Sequence, residues 1–285
     1  MIETVSRHFC HGGDLGYFKH RSETTDSEMR FAVYTPPQVS NGPVPVLYYL
    51  AGLTCTEETF VIKAGALQHA ARLGLMLVAP DTSPRVELPG DREAYDFGIG
   101  AGFYLDAIQA PWSSHYQMYS YVVNELPRVV AGDFRADLSR SGIMGHSMGG
   151  HGALTIALKN PGKYRSVSAF APICAPSQVP WGTKAFTGYL GADRAAWAEY
   201  DAVDLVRRGR KFADAILVDQ GTSDKFLKDQ LKPELLAEVC NETGQPLDLR
   251  MHPGYDHGYF FIQTFIAQHM EWHARAFEGI TPAGA

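Results

Sequence analysis

The chain has 285 residues, 45% hydrophobic and 20% charged, with a formal net charge of −6. Such a chain is long enough to bury a sizeable core and has the composition of a soluble globular protein. The acidic balance and the lack of a basic stripe exclude a nucleic-acid binder: the densest basic run, Arg207-Arg208-Gly209-Arg210-Lys211, reads as a helix end and solvated loop.

The N-terminus, MIETVSRHFCHGG, lacks a basic region followed by an apolar run, so no signal peptide is expected. His8, Cys10 and His11 lack ligand spacing on a probable strand and are not read as a metal site. The first forty residues suggest antiparallel strands; MRFAVYTPP (29–37) alternates and stops at two prolines. VPVLYYLAG (44–52) and LMLVAPDT (75–82) are continuous apolar runs, the pattern of strands buried on both faces. Between them, residues 57–74 have helical spacing and end in glycine.

Residues 83–114, rich in glycine, proline and aromatics, are too long for a plain connector and are expected to fold over a site. The glycines of DFGIGAGFYLD (96–106) imitate a phosphate loop, but no Lys-Ser/Thr follows. The spacing predicts a helix over 117–134, kinked or broken at Pro127. A strand and turn follow at 141–147, then a helix at 148–160 and strands at 166–173 and 215–221. An irregular stretch with a helix over 194–206 separates those two strands. A helix over 231–243, a strand over 247–254 and a helix from about 257 to 277 complete the chain. Strands alternating with helices give an α/β fold: a mixed, mostly parallel sheet with helices on both faces, in one domain spanning 1–285. No run reaches the roughly 18 apolar residues a membrane helix needs. Cys10, Cys55, Cys174 and Cys240 lie far apart, which suits a reducing cytoplasm rather than a disulfide framework.

The stretch GIMGHSMGG (142–150) contains a G-x-S-x-G pattern around Ser147. In a chain of this length chance supplies such a match roughly 10% of the time, so context decides. Here an apolar strand precedes the serine and a helix follows, as a nucleophile elbow requires. Gly145 and Gly149 permit the tight turn, and the Met148 N–H at the helix start can face a developing oxyanion. A serine hydroxyl needs a base. His257, after the last strand and at the start of the last helix, is the candidate over His252, His146 and His151. The acid belongs between the two in sequence: Asp224, past Gly221, is favoured over Asp219, which sits at the strand end and could serve the loop. The second oxyanion donor is expected at Leu53, where Gly52 lets the backbone approach. Cys55 reads either as a small buried hydrophobe or as part of the acyl pocket.

These residues sit in segments that carry a wider resemblance. LAGLTCTEETFVIKAGA, APDTSPR, DFGIGAGFYLDA, PWSSHYQMYSYVVNELP, GHSMGGHGALTIALKNPGKYRSVSAFAPI, PWGTKAFTGYLG and YDHGYFF resemble the S-formylglutathione hydrolase (esterase D) family over nearly the whole chain. The resemblance implies an α/β-hydrolase fold, a Ser147–Asp224–His257 triad, an oxyanion hole at Leu53 and Met148, no cofactor and no metal, and a cytoplasmic homodimer. It implies hydrolysis of S-formylglutathione to formate and glutathione through a formyl-serine intermediate, in formaldehyde detoxification. Glutathione is anionic and so is this chain, so a local cation is expected to meet its carboxylates. Lys63, Arg85 and Lys184 are the candidates, and Trp181 joins them as a substrate contact. Three positions depart from the family pattern: Val86 and Gly258 replace a usual glycine and serine, and Tyr95 a common tryptophan. They leave the triad intact and put the shape of the substrate pocket in question. A broad short-chain esterase is the alternative, with an acyltransferase or a non-catalytic binding protein behind it.

Overall fold

The computed structural model describes residues 1–91 and 94–278. Three antiparallel strands open the chain: β1 (Glu3–Cys10), β2 (Gly13–Ser22) and β3 (Ser27–Thr35). Next come β4 (Val44–Leu50), α1 (Glu57–Lys63), α2 (Leu67–Leu73) and β5 (Met76–Pro80). After the long irregular stretch, α3 (Met118–Ser120) runs through a π turn at Tyr121–Glu125 into α4 (Leu126–Asp133). Then follow β6 (Ala136–His146), α5 (Met148–Lys159), β7 (Ser166–Phe170), α6 (Pro180–Leu190), α7 (Arg194–Ala198) and α8 (Ala202–Arg207). The chain continues through β8 (Ile216–Gly221), α9 (Pro233–Thr243) and β9 (Leu247–His252) to α10 (Tyr259–Phe277).

The strands form one sheet in the order β1-β2-β3-β5-β4-β6-β7-β8-β9. Pairing is antiparallel from β1 through β3 to β5 and parallel from β5 to β9. Alternation along β7 shows why the central strands read as unbroken apolar runs. Ala169 faces Gly150 of α5, whereas Ser168 and Phe170 face His269 of α10. Helices therefore cover both faces, and neither set of side chains meets water.

Five local expectations are corrected. The helix expected over 57–74 is two helices, because Gly65 adopts a left-handed φ of 66° and ends the first. The helix over 117–134 does not break at Pro127; it widens into a π turn just before the proline. Pro127 has no N–H to give the carbonyl of Val123, and Lys163 Nζ donates to that oxygen instead, at 2.5 Å. The strand expected at 141–147 begins earlier, at Ala136. Its polar first half pairs with β4 out of register with the rest, the pairing jumping from Pro45–Asp137 to Val46–Ser141 across an irregularity. The helix over 194–206 is also divided: the Asp201 carboxylate accepts the Asp204 N–H and starts a new helix. The stretch before it, expected to be irregular, contains α6.

Candidate active site

The parallel strands end at one edge of the sheet, and the loops beyond β4, β6, β8 and β9 meet there. Ser147 stands between β6 and α5 with φ 58° and ψ −118°, a conformation that side chains rarely adopt. The surroundings hold it there. Ser147 N–H donates to Phe170 O at 3.0 Å, and its carbonyl accepts from His151 N–H at 3.0 Å and Ile173 N–H at 3.3 Å. A Cβ on Gly145 would lie 2.1 Å from Gly149 O, and one on Gly149 would lie 1.9 Å from Leu50 O. The glycines flank the serine because the crossing leaves no room for a side chain.

Asp224 and His257 come from two loops zipped together by backbone bonds: Thr222 N–H to His252 O, and Ser223 N–H to Tyr255 O, both 2.9 Å. A Cβ on Gly221 would meet Tyr255 O at 2.3 Å, so that glycine permits the close approach. The zipper brings Asp224 Oδ2 to 2.5 Å from His257 Nδ1. Phe226 N–H donates to the other carboxylate oxygen at 2.8 Å, and Gln220 Nε2 donates to Oδ2 at 3.3 Å. Asp224 is buried, and the His257 side chain keeps 17% of its exposure. The carboxylate fixes the ring through Nδ1 and leaves Nε2 to act as a base.

Of the rival residues, His151, His252 and Asp219 meet other partners, and His146 packs against His257 itself. His146 is buried, its ring 4.6 Å from that of His257, and burial pushes its pKa far down, so it is neutral. His151 Nε2 bonds Phe103 O at 3.0 Å, and its pKa falls to about 4 on burial. Asp219, expected to serve the loop, is instead fully buried within β8, its Oδ2 3.3 Å from both His252 Nε2 and His269 Nε2. His269 and His273, wholly buried on α10, escaped the sequence reading because helical periodicity marks a buried face but not a polar network within it. They bond Ser168 and Ser166 of β7.

Leu53 lies in the loop after β4, and Met148 opens α5. Neither backbone N–H donates to a protein carbonyl among the described residues. Gly52 packs against the elbow, where a Cβ would lie 3.2 Å from Ser147 Cβ. Cys55 packs on the core half-buried, and burial raises its thiol pKa. Trp181 Nε1 donates to Tyr95 Oη at 3.2 Å; its ring lies 4.6 Å from Phe226, which lies 5.0 Å from His257. The departure at Tyr95 therefore lies on an aromatic wall leading to the histidine. The departure at Gly258 leaves α10 without a side-chain cap.

The expected cations are differently placed. Lys63 Nζ sits 5.9 Å over the Tyr259 ring, Lys184 pairs with Asp96 at 2.6 Å, and Arg85 is bound to Asp81. A cavity of about 1000 Å3 lies against α6, lined by Phe97, Trp112, Val179 and Lys184 among others; Ser147 and His257 do not line it. Among the described residues no group of three or more His, Cys, Asp or Glu side chains could hold a metal ion.

A family model described as putative esterase matches residues 22–272. The S-formylglutathione hydrolase of Paracoccus denitrificans (strain Pd 1222) is 53% identical over 272 residues, 95% of this chain and 97% of that protein. The chain belongs to the S-formylglutathione hydrolase family. The mouse (Mus musculus) S-formylglutathione hydrolase is 51% identical, over 96% of this chain and 98% of its own. A solved structure of the S-formylglutathione hydrolase from Agrobacterium tumefaciens superposes with a TM-score of 0.95 at 52% identity, covering 96% of this chain and 99% of that one. The mixed sheet and its helices are those of the α/β-hydrolase fold of this family.

Proposed function

We propose that the protein hydrolyses S-formylglutathione to formate and glutathione, with Ser147 as nucleophile, His257 as base and Asp224 as its orienting acid. The single observation that carries the reading is the Asp224–His257 pair at 2.5 Å, on the sheet edge where Ser147 is held in its strained turn. His257 takes the Ser147 proton as Oγ attacks the formyl carbon, and Asp224 stabilises the imidazolium. The Leu53 and Met148 N–H groups hold the oxyanion, each worth about 3 kcal/mol to the transition state. The tetrahedral intermediate collapses; the C–S bond breaks and His257 returns the proton to the leaving glutathione sulfur. Water, deprotonated by His257, then attacks the formyl-serine ester; the acyl C–Oγ bond breaks, His257 returns the proton to Ser147 Oγ, and formate leaves. The proposed mechanism needs no cofactor.

The substrate reading is supported by the relatives named above, which are 53% and 51% identical to the chain over nearly their full lengths. It places the protein in formaldehyde detoxification. The formyl group offers little to bind, so affinity must come from the glutathione part. Lys63 and Lys184 are the proposed cations for its carboxylates, and Trp181 a wall of the approach. Cys55 borders the acyl pocket on this reading. A cytoplasmic homodimer completes it; widely spaced free cysteines suit that compartment, and no described helix is long and apolar enough to cross a membrane.

The test compares kcat/KM for S-formylglutathione, S-acetylglutathione and an aryl acetate, with Ser147→Ala as control. A preference of roughly a hundredfold for the formyl thioester, lost in the control, is expected. A flat profile lost in the control makes the protein a broad short-chain esterase. Activity surviving Ser147→Ala removes the nucleophile assignment.

A further inference from the structure

Leu53 lies in a short crossing between β4 and α1 that has no helix or strand of its own to hold it. The segment after β5 supplies that support. Tyr104 Oη donates to Ala51 O at 2.9 Å, and Thr54 N–H donates to Gly100 O at 2.9 Å. Cys55 N–H turns back to Gly52 O at 3.3 Å. The Cys55 carbonyl then accepts two donors: Thr82 Oγ1 at 2.6 Å and Arg85 Nη2 at 3.1 Å. The groups on either side of Leu53 are thus tied down, while its own N–H has no carbonyl partner among the described residues. Thr54 sits at a left-handed φ of 67°, a strained conformation that persists only where neighbours enforce it.

Arg85 is the one charged donor in this set, and it is itself fixed. Asp81, 2% exposed, grips the guanidinium through Nε at 2.8 Å and Nη2 at 2.5 Å. The Asp81 carboxylate also accepts from the neighbouring Thr82 N–H, at 2.7 Å through Oδ1. Two-point pairing sets the plane of a guanidinium, which an ammonium cannot copy. The same Nη2 that meets Asp81 reaches Cys55 O, so the ion pair transmits the position of the β5 end to the loop carrying Leu53.

We propose that Asp81 and Arg85 are a positioning pair that sets the Leu53 amide of the oxyanion hole through the Cys55 carbonyl. This rests on the hydrolase reading of Ser147 and Leu53, though not on the identity of the thiol half of the substrate. Arg85, a candidate cation for glutathione in the sequence, acts on this account at the other end of the reaction. It tunes the stabilisation of the oxyanion, which every acyl substrate forms.

The test uses Arg85→Ala, Arg85→Lys and Thr82→Val, each assayed on S-formylglutathione and on an aryl acetate, with circular dichroism to check folding. Affinity for an aryl trifluoromethyl ketone, whose adduct on Ser147 presents an oxyanion, is the second readout. Arg85→Ala is expected to lower kcat by roughly 10- to 100-fold on both substrates and to weaken the ketone by a similar factor. KM for the thioester stays within about threefold, and Arg85→Lys falls between wild type and alanine. Thr82→Val loses roughly three- to tenfold in the same pattern. A raised KM for the glutathione thioester, with kcat and aryl acetate turnover intact, would overturn the proposal and make Arg85 a substrate cation. If Arg85→Ala does not fold, unchanged kcat and ketone affinity in both Arg85→Lys and Thr82→Val overturn it equally. Wild-type protein that cleaves the aryl acetate but not the thioester refutes the substrate reading alone, and the aryl acetate arm still decides this one.

Discussion

Substituting Gly52 by alanine probes how tightly the nucleophile is seated. The added Cβ would lie 3.2 Å from Ser147 Cβ and 3.4 Å from both His146 Nδ1 and His146 O. The first of these is a few tenths of an ångström tighter than ordinary contact, and the other two lie at its edge. One side of the contact is braced by β4 and by the Tyr104 bond to Ala51 O, so the elbow must give way. A misplacement of about 1 Å in a reacting group costs about a hundredfold; a shift of a few tenths to half that size costs roughly three- to tenfold in kcat. The overpacking itself costs about 1 kcal/mol of stability. The assay is kcat on an aryl acetate beside thermal unfolding. Gly132→Ala is the control: its Cβ would meet nothing within 4 Å on an exposed turn of α4, so stability rises by about 0.5 kcal/mol without loss of kcat. A Gly52→Ala enzyme with wild-type kcat and wild-type unfolding would refute the idea that this crossing fixes the serine.

Two further outcomes follow from the same geometry. Asp224→Asn keeps the shape of the pair but favours the wrong histidine tautomer, and kcat should fall by about 10⁴ with the fold retained; a loss under tenfold would remove Asp224 from the triad. Acid should also destabilise the fold. Burial holds His146, His151, His269 and His273 below their ordinary pKa, so the unfolded chain binds protons that the folded one refuses. Their contribution is complete above about pH 6.5 and is lost as pH falls from there toward each folded-state value. For His151, at about 4, the loss by that pH is about 3 kcal/mol. Urea midpoints should drop steadily from pH 7 to pH 5, and a flat profile would contradict neutral burial of these rings.

The elbow around Ser147 was legible in the sequence because its signals are local. A glycine on each side of Ser147, an apolar strand before it and a helix after it define an elbow wherever they occur in this order. The alternation of apolar runs with helical periods likewise gave the fold class, since a strand covered on both faces must be apolar throughout. Local signals failed where a partner distant in sequence decided the outcome. Residues 117–134 read as a helix kinked or broken at Pro127 because nothing nearby announces that Lys163 supplies the donor Pro127 lacks. Asp219 read as a loop acid because its neighbours in space, His252 and His269, lie more than thirty residues away.

Sequence by itself determined which residues are candidates for nucleophile, base and acid, since the three are distinguished by chemistry, spacing and chain order. Tertiary structure alone decided how each charge is used. Arg85 and Lys184 are both cations in family-like segments, and nothing in the string tells them apart. In the fold, Arg85 is locked between a buried carboxylate and the Cys55 carbonyl, while Lys184 meets Asp96 at the surface. The physical reason is that a side chain's charge is written in its chemistry, whereas the field and the partners that direct it come from residues the fold brings together.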